Sequence, residues 1–195
     1  MGDPVSRAIG AWRGVTFAAA QIDVVHAADD LLIVGMLEKD VARGDRGGAD
    51  AIDHALHGTL SRLRAGGIFT GGFGETLMLT RPPAPVHAGA LMLIGMGASL
   101  SAQPAALGNL TALAMHAALR IGAASVGCLL GWSERDLPAA EVEPCAVAMM
   151  RGALGAIDTH AAAGSVATMR WTFDIRNGDS ARTAAALATA LAAWR

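Results

Sequence analysis

Gly66-Gly67-Ile68-Phe69-Thr70-Gly71-Gly72-Phe73-Gly74-Glu75-Thr76-Leu77-Met78-Leu79 is the stretch whose reading decides the fold. Gly66-Gly67 stops a helix, because glycine readily takes the left-handed turn past a helix end. Gly71-Gly72-Phe73-Gly74 then leads into a strand, Glu75–Arg81. No helix N-terminus faces these glycines, so they read as the run-in to a hairpin with permissive backbone angles, not as a phosphate cradle.

On the amino side, Ala49, Ile52, Leu56, Leu60 and Leu63 recur at three and four, predicting one helix from about Gly48 to Ala65. Before it, Val15–Ile22 reads as a first strand. Asp30–Leu37 reads as a second, a continuous apolar run suited to a strand covered on both faces. On the carboxyl side, Ala88–Met96 is the partner of Glu75–Arg81, with Pro82, Pro83 and Pro85 forbidding helix between them. Pro104 opens a helix carrying Leu107, Leu110, Ala114 and Ala117. Ser125–Leu130 is a fifth strand and Gly131–Pro138 a surface loop. A helix from about Val142 follows, then a sixth strand, Thr168–Ile175, a turn at Arg176–Asp179 and an alanine-rich helix running to Trp194. Strands alternating with helices predict a single α/β domain over residues 1–195, with three α/β/α layers. The tight hairpin makes its six-stranded sheet mixed but mostly parallel.

Composition narrows the function classes. With 195 residues and 53% hydrophobic content, the chain can bury a core without disulfide or metal. A net charge of −2 gives no electrostatic footprint for nucleic acid. Lys39 is the single lysine among 15 basic residues, which limits lysine-dependent chemistry. Cys128 and Cys145 lack a C-x-x-C spacing and read as reduced packing residues of a cytoplasmic protein. The longest apolar run, Ala88 to Leu100, is too short and glycine-rich to span a membrane. Arg7 and Arg13 before Val15–Ala20 imitate a signal peptide, but the apolar part continues as a strand.

Asp30–Gly35, the helix through Leu56 and Leu60, Phe69–Leu77, Leu91–Gly97 and Gly152-Ala153-Leu154-Gly155 follow one another in an order that resembles the N-terminal domain of leucine (cytosol) aminopeptidases. The resemblance implies a macro-domain-like fold across nearly the whole chain. Two positions depart from the family: Gly71-Gly72 stand where it usually has a lysine, and Ile157-Asp158 where it has an aromatic residue. The family's two-metal centre resembles a carboxylate cluster with a lysine ligand, in Asn-Thr-Asp-Ala-Glu-Gly-Arg and Asp-Ser-Gly-Gly regions. Neither string occurs in these 195 residues. No catalytic residue, metal ligand or cofactor is therefore carried over.

Asp50, His54 and His57 share a helical face by spacing, and that face reads as solvated rather than metal-binding. Gly95-Met96-Gly97-Ala98-Ser99 follows a buried strand, although the third glycine of G-x-G-x-x-G is missing. Trp132 and Arg135 lie in the loop after the fifth strand, where open α/β sheets usually place ligands. Gly95, Gly97, Ser99, Trp132 and Arg135 are thus the candidate ligand-binding set. His26, His87, His116 and His160 read as ordinary histidines.

Three functions follow. The first is a non-catalytic, stand-alone relative of the aminopeptidase N-terminal domain, serving interaction, assembly or regulation. The resemblance implies self-association, since the family's domain is attached to a hexameric core. The last helix would offer apolar surface to a second copy or a partner protein. The second is a macro-like binder of a nucleotide or ADP-ribose-type molecule. The third is an aminopeptidase component requiring a separate metal-binding catalytic chain.

Overall fold

A computed structural model describes residues 6–38, 48–98, 104–130, 139–175 and 180–194. Lys39, the Gly131–Pro138 loop and the Arg176–Asp179 turn lie outside the described residues. In chain order the elements are β1 (Arg7–Trp12), β2 (Val15–Ala20), β3 (Leu31–Leu37), α1 (Gly48–Ala55), α2 (Thr59–Ala65), β4 (Thr76–Thr80), β5 (Ala90–Gly97), α3 (Pro104–Ile121), β6 (Ser125–Leu129), α4 (Ala139–Ala163), β7 (Met169–Asp174) and α5 (Ser180–Ala192). Among the described residues the sheet has seven strands in the order β1-β2-β7-β6-β3-β5-β4. Five neighbouring strands, β2 to β5 in that order, run parallel, and antiparallel β1 and β4 close the two edges.

The mixed, mostly parallel sheet agrees with the sequence, but six strands is corrected to seven. The strand that periodicity missed is β1, which pairs with β2 through a two-residue turn, Arg13-Gly14. Both turn residues have positive φ, 44° and 90°, as a hairpin twisted to match its strands demands.

Alternation along the strands builds two cores, one on each face. Ile33, Val126, Cys128, Trp171 and Phe173 point towards α3, α4 and α5. Leu32, Val34, Met36, Leu91 and Leu93 point towards α1 and α2, where Phe69 is also buried. That second layer stops short of β2 and β7, whose alternate side chains Thr16 and Arg170 are exposed. Cys128 and Cys145 are both buried thiols. Among the described residues, no helix is long and apolar enough to cross a membrane.

The predicted continuous helix over 48–65 is two helices. His57 and Gly58 take φ of 53° and 76° and break the path. Asp53 of α1 then caps α2, accepting from the Leu60 amide at 2.7 Å and the Ser61 hydroxyl at 2.5 Å. A buried carboxylate thus satisfies amides that a new helix start leaves open.

The expectation that α5 offers free apolar surface is also corrected. Thr183, Ala184, Ala186, Leu187, Ala190 and Leu191 are buried within the domain, in the core shared with α4. Trp194 is drawn into a polar clamp on Asp158. That carboxylate accepts from Trp194 Nε1 at 2.9 Å, Trp12 Nε1 at 2.8 Å and Arg13 Nε at 2.6 Å. Burial raises the Asp158 pKa, but these donors outweigh it and hold the group below its ordinary value.

Helices α3 and α4 approach closely at two glycines. A Cβ built on Gly152 would lie 2.1 Å from the Gly108 carbonyl oxygen, whereas one on Gly155 meets nothing within 4 Å. Gly152→Ala should push the helices apart and cost about 1–3 kcal/mol. Gly155→Ala should instead stabilise by about 0.5–1 kcal/mol, because it only removes unfolded-state freedom. Urea denaturation of both variants checks the opposite signs.

Candidate functional site

Parallel strands bring their carboxyl ends to one border of the sheet, the usual location of ligand crevices in open α/β folds. Here the described residues at the ends of β3 and β5 are covered by the chain's own glycine-rich loop. Phe69, 1% exposed, anchors that loop in the α1/α2 core. The Gly97 amide donates to the Gly71 carbonyl at 2.9 Å, and the Gly74 amide to the Gly95 carbonyl at 2.9 Å. The Arg64 guanidinium donates to the carbonyls of Leu37 and Glu38 at the end of β3.

Within the loop, the amides of Thr70, Gly71 and Gly72 and the Thr70 hydroxyl all donate to Glu75 Oε2, at 2.9, 2.9, 3.1 and 2.9 Å. Converging backbone amides of this kind form an anion-binding nest, and here the anion is the chain's own carboxylate. Burial raises the Glu75 pKa. The Thr70 side chain and amide, then the Gly72 and Gly71 amides, outweigh it and hold the group below its usual 4.5. Sequence reasoning found the glycines but not the nest. The available signal was an acidic residue just beyond a run of small residues whose amides were otherwise unassigned.

Gly95 and Gly97, two of the candidate ligand residues, sit where this loop presses on β5. A Cβ on Gly95 would fall 1.9 Å from the Gly72 carbonyl oxygen, and one on Gly97 would lie 3.5 Å from Phe73 Cβ. Gly95 therefore makes room for Gly71 and Gly72, whereas the contact at Gly97 is an ordinary one and that position calls for glycine through its φ of 85°. Ser99, Trp132 and Arg135 lie outside the described residues, although they follow the ends of β5 and β6 in sequence.

Asp50, His54 and His57 do not share one helical face, because α1 ends at Ala55 and His57 turns left-handed. Among the described residues, no group of three or more His, Cys, Asp or Glu could hold a metal ion. The fold does bring together His26 and His87, ring centroids 5.5 Å apart, with Asp23 2.9 Å from His26. In the sequence these two histidines are isolated from each other.

The N-terminal domain of the cytosol aminopeptidase family matches residues 33–154, from β3 through most of α4. The chain belongs to that family. It is 31% identical over 119 residues to leucine aminopeptidase 1 of Arabidopsis thaliana, covering 57% of this chain but 22% of that protein. A tomato leucine aminopeptidase variant superposes with a TM-score of 0.62 at 24% identity, over 87% of this chain and 34% of the other. The Oceanobacillus iheyensis macrodomain with ADP gives 0.64 at 12% identity, over 99% and 98%. The macro-domain-like fold read from the sequence is thereby established, and the chain spans about a fifth of its curated relative.

Glu75→Gln removes the charge that organises the nest. The variant should lose about 1 kcal/mol at neutral pH. In the wild type, the depressed folded pKa means this stabilisation is complete above 4.5 and is lost as pH falls through the lower folded value. Denaturation across the acid range should show that part of the slope in the wild type and not in Glu75→Gln.

Proposed function

We propose that this chain works as a non-catalytic interaction and assembly domain of the cytoplasm. The observation that carries the reading is the match to the family's N-terminal domain over residues 33–154. The geometry at the β3 and β5 ends supports it: Glu75, Thr70 and the glycine amides engage one another rather than converging on an open position. Self-association fits the reading, through a surface other than the inward apolar side of α5.

A second reading, binding of a small nucleotide-type molecule, is favoured by one observation. Five parallel strands end on one border, in a fold shared with macrodomains from Oceanobacillus iheyensis and Trypanosoma brucei whose structures hold ADP. Gly95, Gly97, Ser99, Trp132 and Arg135 would be its contact residues.

Two assays separate these readings. Leucyl substrates with added Mn²⁺ or Zn²⁺ should give no turnover above buffer. Turnover by the purified chain, accompanied by a tightly held metal pair, would end the non-catalytic reading. Restoration of turnover only on adding a second, metal-binding chain would instead make this domain an aminopeptidase component. Titration calorimetry with ADP and ADP-ribose should give no heat; saturable heat would move the second reading ahead of the first.

A further inference from the structure

The two sheet edges are built differently. At β1 the edge is guarded: Arg7 opens the strand, the register shifts between Ala8 and Gly10, and Trp12 and Arg13 are held by Asp158. Bulges and edge charges of this kind discourage pairing with another chain. At β4 the strand Thr76-Leu77-Met78-Leu79-Thr80 has no proline, charge or bulge, and its register with β5 is regular from Thr76 opposite Ile94 to Thr80 opposite Ala90. Thr76 and Thr80 are exposed and Leu77, Met78 and Leu79 half-buried.

Backbone direction along β4 is fixed by its ends. The Gly95 amide donates to the Glu75 carbonyl at 2.7 Å, and the Arg81 amide donates to the Gly89 carbonyl at 3.0 Å. Odd-numbered residues therefore turn their backbone groups towards β5, and residues 76, 78 and 80 present theirs at the outer edge. Among the described residues, no strand lies beside that edge.

We propose that two copies of this chain join through β4, antiparallel about a two-fold axis at Met78, to form one continuous sheet. The sequence Thr76-Leu77-Met78-Leu79-Thr80 is self-complementary under that operation. Met78 meets Met78 of the second copy, Thr76 meets Thr80, and Leu77 meets Leu79. The outward groups of 76, 78 and 80 then face those of 80, 78 and 76, each donor opposite an acceptor. Glu75 is held by its own loop and Arg81 turns away with a φ of 53°, so the pairing ends at Thr76 and Thr80. Leu77 and Leu79 pack towards the α1/α2 core and Met78 towards the opposite core. A shift by one residue would reverse these faces, which fixes the register. Such an interface is isologous and closes as a dimer. A five-residue edge buries less than the roughly 1,600 Å² of a standard interface, so the dimer is concentration-dependent.

This inference rests on the assembly reading, and the two fail separately. Sedimentation of the full chain should show a monomer–dimer equilibrium. Thr76→Glu with Thr80→Glu places like charges opposite each other twice and should weaken the dimer about tenfold or more. Thr76→Glu with Thr80→Lys changes the same two exposed positions but pairs opposite charges, and should restore it. Met78→Cys should form a covalent dimer on mild oxidation, because hydrogen-bonded antiparallel partners sit about 5.5 Å apart at Cα. Leu77→Cys, which faces Leu79, should not. A strict monomer at high micromolar concentration overturns the proposal. So does a dimer indifferent to charge pattern and not cross-linked by Met78→Cys; that result leaves the assembly reading standing. Metal-dependent peptide turnover removes the assembly reading instead.

Discussion

The contact between Gly95 and Gly72 is the constraint around which the candidate site is arranged. A carbonyl oxygen lies where any other residue at position 95 would put its Cβ. Only that approach lets the glycine-rich loop settle on the end of β5, which in turn sets its amides around Glu75. Close backbone approach and internal anion capture are thus one device: a loop with almost no side chains is held by its own peptide groups. β4 begins directly after Glu75, so the path of the edge strand depends on the same contact.

How much of this was legible in the sequence varied with the strength of the local signal. β3 and β5 announce themselves, because both faces of a central parallel strand are apolar and the run is unbroken. β1 did not. It is only six residues long, Arg7, Ala8, Gly10 and Ala11 leave Ile9 and Trp12 as its large apolar residues, none of the six is buried, and Arg13-Gly14 is a weak hairpin signature until both positive φ values are known. The break between α1 and α2 was hidden because the apolar spacing continues across it; Leu56 and Leu60 are both buried although the helix between them is not continuous. Asp53, which no sequence pattern singles out, is the cap that makes the break tolerable.

The glycines were visible, but the partner of their amides was not, since hydrogen-bond convergence depends on loop curvature and not on residue type alone. The apolar face of α5 was visible too, and its amphipathic pattern reflects the domain's own core rather than an outside surface. The Trp12-Arg13 pair, Asp158 and Trp194 are far apart in sequence, and nothing in their spacing suggests that one carboxylate gathers all three donors.

The two buried thiols have a consequence of a different kind. Cys128 lies in a central strand and Cys145 near the start of α4, both fully shielded, and burial raises both thiol pKa values. A thiol is attacked through its thiolate and only when reagent can reach it. Alkylation in the native protein therefore proceeds through opening events alone, with the strand thiol gauging disruption of the central sheet and the helix thiol gauging looser excursions of α4. The molecule carries its own pair of clocks for local and global opening, with no probe to be introduced.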